Sequence, residues 1–332
     1  MPSLGPPLSP EQLAQLPHDD RGPMLIGVSW GLAVVAAAFL ALRVYCKHIT
    51  KRRLWWDDWI LIASRALIIT SNALTTVLVN DFKLGKHNWD MDIYDRVRFY
   101  LVISSRATVI ITAIVWAKTA FAVTLLRLTT GKTKAFVWFI LVSMNIAMGF
   151  SAMVLWIQCQ PLAKGWITDL PGTFWAPRRR WLILPISAYS AAMDFTLAIL
   201  PWTFLPNLTL GDKDKIGISI AMSMGVIAGI VAIIKCVYLP GLGVGDSYDD
   251  VHLFIWDVTE ATVTVVAACI PTLRVLLRDA TQRPQSSRLS AIPDLSLISY
   301  RDLGVKNPNV AQELGMLPVE EVESGRSTQI GR

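Results

Sequence analysis

The sequence contains seven apolar stretches, spread from Met24 to Leu277, that are each long enough to cross a bilayer. An α-helix needs about 20 apolar residues to cross roughly 30 Å of hydrocarbon. With 17% charged residues, the chain is also too apolar for an ordinary soluble domain, in which about a quarter of the residues are charged. The pattern predicts an all-α membrane protein, a seven-helix bundle over residues 24–278, with helices at 24–46, 59–79, 97–126, 135–158, 181–205, 216–239 and 253–277.

The basic residues between these stretches predict the orientation of the bundle. A cluster from Lys47 to Arg53 follows the first stretch, and cytosolic loops carry an excess of Lys and Arg. We therefore expect residues 1–23 outside or in the lumen and residues 279–332 as a disordered cytosolic tail, although Arg178 to Arg180 break the rule locally. The net charge of +6 lies in these loops, so the lipid bilayer and not nucleic acid is the expected partner. The plasma membrane and the endoplasmic reticulum both remain open as locations.

Charged residues inside the predicted helices are the first candidates for a functional site, because ionisable side chains are costly in hydrocarbon. Long basic side chains can reach an interface, whereas acidic ones cannot, so Asp194 and Glu260 are the candidate catalytic acid and base. Two hypotheses stay open: a cavity lined by both acids with Arg106, Lys235 and Asp257, or a structural network of ion pairs. Seven charged residues within the predicted helices are singled out as candidates: Arg65, Arg106, Lys118, Asp194, Lys235, Asp257 and Glu260.

A pair of aspartates stands among three tryptophans at the start of the second predicted helix. Asp57 and Asp58 follow the basic Arg52 and Arg53, and indole rings prefer the membrane interface. We interpret this segment as an anchor at the membrane surface rather than as a catalytic site.

Several types of site are not predicted. The four histidines are scattered over different segments without helical spacing, so no metal site is expected. A retinal-binding protein of the known arrangements has a lysine in its seventh helix, and residues 253–277 contain none. We therefore expect no retinal and no other cofactor.

Several short motifs carry a resemblance to a known family. They are Trp56-Asp57-Asp58-Trp59, Gly85-Lys86-His87 with Trp89-Asp90, Cys159-Gln160-Pro161, and Pro271-Thr272-Leu273-Arg274. From Met24 to Arg278 the chain resembles the fungal rhodopsin-like integral membrane family, which includes the satratoxin-cluster membrane protein and receptor-like pathogenicity proteins. His87 and Trp89 are therefore added to the candidate ligand pocket, although a lone loop histidine is also typical of a solvated side chain.

The chain departs from the family pattern at two positions. Many relatives have a second loop cysteine after a Pro-Gly pair, but Pro171-Gly172 is followed here by Thr173, so Cys159 lacks its usual partner. Relatives often have arginine late in the sixth helix, where this chain has Lys235. The second change alters any bidentate contact with an acid.

The resemblance implies the leading functional hypothesis, because family members are commonly encoded beside fungal specialised-metabolite genes. We expect an accessory membrane protein of such a pathway, which binds or transforms a lipophilic small molecule; whether it is an enzyme stays open. The alternative is a receptor-like cell-surface sensor, and only this alternative involves a G protein. A third hypothesis is product export, which the lack of internal repeats disfavours.

Overall fold

Seven long helices make up nearly all of the described structure. The computed structural model describes residues 16–51, 53, 55–91, 95–127, 129, 131–157, 159–160, 173–174, 176–204, 212–242 and 246–289. Each helix contains a segment long and apolar enough to cross a membrane, which confirms the predicted all-α, seven-helix class. The helices are α1 (Gly22–Ile49), α2 (Trp56–Phe82), α3 (Arg96–Leu126), α4 (Gly131–Trp156), α5 (Ala176–Phe204), α6 (Asp212–Tyr238) and α7 (Ser247–Leu289).

Two short elements connect the helices. Strands β1 (Cys159–Gln160) and β2 (Thr173–Phe174) form an antiparallel pair between α4 and α5. A single 3₁₀ turn, Leu239–Gly241, follows α6. The backbone of Cys159 pairs with that of Phe174, but the side chain of Cys159 lies outside the described part of the structure, as does the segment 161–172 between the strands.

A close backbone contact fixes the α2–α3 connection against the start of α1. The amide of Arg21 donates to the carbonyl oxygen of Gly85 at 3.0 Å. Gly85 has a φ of +107°, and a Cβ added to it would lie 2.6 Å from the amide nitrogen of Gly22. Only glycine fits both the backbone angle and this approach. The loop that contains His87 is therefore held to the first helix.

The surface and the core of the bundle are both apolar, as expected for a protein in lipid. The core includes Ile68, Ile110, Ile140 and Val258, which are all fully or almost fully buried. One face of α4 is exposed along its length and carries large apolar side chains: Phe136, Phe139, Ile146, Phe150 and Met153. A helix that is apolar on every side lies in the core of a large protein or spans a membrane, and the exposed apolar face of α4 favours the membrane.

Helix α7 continues beyond the predicted end at Leu277. Its backbone is helical as far as Leu289, and residues from Leu276 onward belong to a second structural unit. Within that unit the structure describes only this helical segment. The predicted disordered tail comprises residues 279–332; residues 279–289 are helical in the structure, and residues 290–332 lie outside the described ranges.

Candidate functional site

Charged side chains from α3, α5, α6 and α7 meet inside the bundle. The first part of the contact joins three helices: Nη1 of Arg106 lies 2.9 Å from Oδ2 of Asp257, and Oδ1 of Asp257 lies 3.2 Å from Nζ of Lys235. Arg106 also lies over the ring of Phe254, 4.3 Å from its centroid. Asp257 thus bridges a cation from α3 and a cation from α6.

The contacts continue without a break toward α5. Nζ of Lys235 lies 3.0 Å from Oε2 of Glu260, and Oε1 of Glu260 lies 2.7 Å from Nζ of Lys118. Lys118 also lies 2.7 Å from Oδ2 of Asp194 and donates to Oγ of Ser190 at 2.8 Å. We call the whole set the ion-pair chain; its members, in spatial order, are Arg106, Asp257, Lys235, Glu260, Lys118 and Asp194.

The spacing of these residues along the helices explains how they form a chain. Asp257 and Glu260 are three residues apart and share one face of α7. Arg106 and Lys118 are twelve residues apart, which is about 18 Å along α3 at 1.5 Å per residue. The chain therefore follows the inner faces of α3 and α7, and α5 and α6 each contribute one side chain.

The signs of charge alternate along the ion-pair chain, and its three cations balance its three anions. Its members are between 1% and 8% exposed. A buried charge is costly unless it is paired, so the chain is tolerated in the bundle because every member has an opposite neighbour. Loss of any one charge would leave a buried partner uncompensated.

Two small crevices border the middle of the ion-pair chain. One has an empty volume of about 180 Å³ and the other about 280 Å³, including space that is open to the outside. Lys235 and Glu260 line the first, and Lys118 and Asp194 line the second. The remaining lining residues are Met148, Ser187, Ser190 and Ala232 in the first, and Phe121, Leu197, Gly225, Ala228, Thr264 and Ala267 in the second.

A second charged group lies where α1 ends and α2 begins. Arg43 contacts Oδ2 of Asp57 at 2.6 Å and Oδ1 of Asp58 at 2.9 Å. Lys47 also pairs with Asp58, and Arg127 contacts Oδ1 of Asp57 at 2.5 Å. We call these five residues the opposite-end cluster, because they lie at the end of the bundle opposite to the start of α1. Arg43 additionally donates to the backbone carbonyl of Ala268, so the cluster connects α1, α2, the end of α3 and α7.

The opposite-end cluster corrects the interpretation of the double aspartate as part of a surface anchor. Asp57 and Asp58 are 0% exposed, and their partners are Arg43, Lys47 and Arg127 rather than the exposed Arg53. The neighbouring tryptophans are exposed, as an interfacial anchor requires: Trp55, Trp56 and Trp59. The aspartates instead hold helices together, because an ionised carboxylate shielded from water needs cations beside it.

His87 and Trp89 lie in a third group, at the end of the bundle where α1 begins. The His87 ring is stacked between Trp89, at 4.6 Å, and Tyr248, at 4.4 Å. Nδ1 of His87 contacts Oδ2 of Asp246, and Arg21 covers the other face of Tyr248 at 3.8 Å. We call this the aromatic stack. No hydrogen bond, ion pair or ring contact between described residues joins it to the ion-pair chain.

The structure thus brings together five of the candidate site residues and separates two. Arg106, Lys235 and Asp257 join the candidate catalytic pair Asp194 and Glu260, as either hypothesis for these charges requires. Lys118, which sequence analysis noted only as a charge inside a helix, links that catalytic pair directly. Sequence analysis also missed Arg43. The available signal was a basic residue inside an apolar stretch, fourteen positions before Asp57.

Comparison with known families identifies the chain. The family model of the fungal rhodopsin domain matches residues 42–279, which is most of the sequence. The chain belongs to this family. The matched part of this fungal rhodopsin domain protein contains every member of the ion-pair chain, the opposite-end cluster, and both His87 and Trp89. No curated protein and no solved structure matches the chain.

Proposed function

We propose that this fungal rhodopsin domain protein is an accessory component of a specialised-metabolite pathway, and that its bundle binds or transforms a lipophilic intermediate. The observation that carries the proposal is the pair of crevices beside four members of the ion-pair chain. They place charged groups next to apolar walls such as Phe121 and Leu197. A molecule with an apolar body and a polar oxygen would match both.

The size of the crevices limits how such a molecule binds. The enclosed space of each crevice, about 10 Å³, is close to that of one water molecule and far below the roughly 300–1,000 Å³ of usual small-molecule pockets. The polar group of the ligand would therefore enter a crevice, and the apolar body would remain toward the lipid. Entry of a polar oxygen would displace one ion-pair contact of Lys118 or Lys235.

If the ligand is transformed, Asp194 and Glu260 are the proposed acid and base. Both carboxylates contact the same ammonium group, that of Lys118, at 2.7 Å. A ligand oxygen that binds this ammonium would lie within reach of either carboxylate. Positioned proton transfer of this kind commonly contributes a factor of roughly 100 to 10,000 in rate.

Retinal is not part of the proposal. α7 contains no lysine from Ser247 to Leu289, and the buried Lys118 and Lys235 each contact two carboxylates. Retinal-binding proteins of the known arrangements have their lysine in the seventh helix, and this supports leaving retinal out of the proposal.

The proposal includes an orientation with the N-terminus outside and residue 332 in the cytosol. Its support is the basic segment from Lys47 to Arg53 at the end of α1, which favours the cytosolic side. A glycosylation tag placed before Arg21 would be modified, and the same tag after residue 332 would stay unmodified. Modification of the second tag would contradict this orientation.

Fractionation of the same cells would show whether the protein is in the plasma membrane or in the endoplasmic reticulum.

Metabolite profiling after deletion of the gene tests the function itself. Accumulation of one unconverted precursor supports transformation, and restoration by the wild type but not by Glu260→Gln or Asp194→Asn assigns it to the ion-pair chain. The control variant is Asp249→Asn, since the Asp249 side chain is 76% exposed. An unchanged metabolite profile, or full restoration by both well-folded variants, contradicts the proposal. Normal intracellular chemistry with lost secretion would indicate export.

A receptor is the second candidate, and one observation favours it. Helices α3 and α7 both connect the ion-pair chain to the opposite-end cluster. On α3 the connection runs from Arg106 to Arg127, which directly follows the helix, and on α7 from Glu260 to the Ala268 carbonyl. A ligand that separates ion pairs in the middle of these helices would also act on their ends. Loss of a response to a surface cue after deletion, with unchanged metabolites, would support this candidate and its G-protein partner.

A further inference from the structure

Arg65 on α2 is a buried arginine without an acidic partner. Its side chain is 9% exposed, and Nη2 donates to the carbonyl oxygen of Ala33 at 2.6 Å. Its Nε and Nη1 atoms are shielded from solvent and have no hydrogen-bond partner. Among the described residues, every other buried Asp, Glu, Lys or Arg has an ion-pair partner. Arg65 is therefore the exception to the charge pairing inside this bundle.

Two further buried polar groups on the same two helices also lack partners. Oγ of Ser29 and Oδ1 of Asn72 are shielded from solvent and make no hydrogen bond. Asn72 lies seven residues after Arg65 on the same face of α2, and its Nδ2 donates to the carbonyl oxygen of Ser29 at 2.9 Å. Ser29 lies one turn before Ala33 on α1. We call Arg65, Asn72 and Ser29 the polar seam between α1 and α2.

The polar seam lies deep in the membrane and beside lipid. Arg65 is nine residues into α2, or about 13 Å from the start of that helix. Ala33 is eleven residues into α1, or about 16 Å from the start of α1, which lies at the opposite end of the bundle. The guanidinium between them is near the middle of roughly 30 Å of hydrocarbon. Val34 is 66% exposed and Ile69 is 43% exposed, so the lipid-facing surface lies next to the seam.

We propose that the polar seam binds the carboxylate of a lipophilic acid that enters sideways from the bilayer. Nε and Nη1 of Arg65 are both free to donate, and a carboxylate accepts strong charge-assisted hydrogen bonds from a guanidinium. Asn72 Oδ1 can then accept a hydrogen bond from a hydroxyl group farther along the ligand, and Ser29 Oγ can donate to or accept from the same group. A phospholipid phosphate has the same charge but lies at the membrane surface, far above this depth. The seam is separate from the ion-pair chain, so this inference does not depend on the proposed function.

Thermal unfolding of the full-length protein in neutral-lipid nanodiscs tests the inference. The probes are oleate, methyl oleate, which has the same chain without the charge, and dioleoylphosphatidic acid, which carries a phosphate. The variant Arg65→Met removes the guanidinium while nearly keeping its volume. The matched control is Lys134→Met, which makes the same change at an exposed residue of α4.

The expected result is a rise of a few degrees in the unfolding midpoint of the wild type with oleate and no rise with methyl oleate. Lys134→Met should respond as the wild type does, and Arg65→Met should lose the response. An equal response to methyl oleate, protection by phosphatidic acid alone, or an unchanged oleate response in Arg65→Met would overturn the inference. The three probes decide on wild-type protein even if Arg65→Met does not fold. With the wild-type protein, ¹³C-carboxyl oleate should show an NMR resonance of bound carboxylate in addition to the resonance of oleate in the lipid.

Discussion

Nζ of Lys118 on α3 lies 2.7 Å from Oε1 of Glu260 on α7, and each of these residues has a second partner of opposite charge. Lys118 also contacts Asp194, and Glu260 also contacts Lys235. The pair is therefore an internal link of a chain in which α3, α5, α6 and α7 depend on one another. The following predictions concern this chain and the contacts that surround it.

Glu260→Gln should destabilise the protein by about 3–5 kcal/mol, because it leaves Lys118 and Lys235 with one anion fewer in a buried site. The unfolding free energy in detergent would measure this loss. Asp249→Asn, at an exposed position, should change it by less than about 0.5 kcal/mol. Similar small effects of the two substitutions would mean that Glu260 is not part of a buried ion pair.

The opposite-end cluster should show an effect that is graded by burial. The Arg43 side chain is 1% exposed and contacts both aspartates, whereas that of Arg127 is 38% exposed and contacts one. Arg43→Met should therefore cost about 3–5 kcal/mol and Arg127→Met about 1 kcal/mol or less, since exposed pairs are weak. Parallel unfolding curves would check the order. A larger loss for Arg127→Met is the contrary outcome.

Close packing of α5 against α6 should make Gly225 sensitive to a single methyl group. A Cβ at Gly225 would lie 2.8 Å from Cβ of Ala198 and 3.4 Å from its Cα. Gly225→Ala should thus destabilise the protein by about 1–3 kcal/mol through overpacking. Gly149→Ala is the matched control, because a Cβ there has nothing within 4 Å. Equal stability of the two variants would argue against this helix contact.

The aromatic stack should protect the α2–α3 connection. His87→Ala removes both ring contacts and the contact with Asp246. Hydrogen–deuterium exchange of residues 84–90 should therefore become at least several-fold faster, since local opening follows the loss of local contacts. His48→Ala, at an exposed position in α1, should leave exchange there unchanged. Unaltered protection in His87→Ala would show that the stack does not hold the loop.

Much of the fold followed from the sequence because lipid imposes a strong and simple constraint on it. Apolar length alone indicated seven helices, and the cost of charge in hydrocarbon indicated which residues to examine. The positions of Asp257 and Glu260, three residues apart, put them on one face of α7 by helix geometry alone. These inferences needed only helix geometry and the properties of the bilayer.

The pairing between helices did not follow from the sequence. Spacing along one helix does not show which residue of another helix it meets, so Lys118 was not assigned to Asp194 and Glu260. Asp57 and Asp58 were interpreted from their tryptophan neighbours, while their actual partner Arg43 is on another helix. His87 and Trp89 were placed with the ion-pair chain because of their motif, and their described contacts are elsewhere.

A double-mutant cycle on Lys118 and Glu260 tests most directly whether the buried charges act as one chain. Lys118→Met and Glu260→Gln each leave the chain with an unbalanced charge, whereas the double variant is neutral again. Unfolding free energies should therefore show the double variant to be more stable than the sum of the single losses predicts, by roughly 1–3 kcal/mol. Losses that add to within about 0.5 kcal/mol would contradict the account, because residues without contact usually behave in that way.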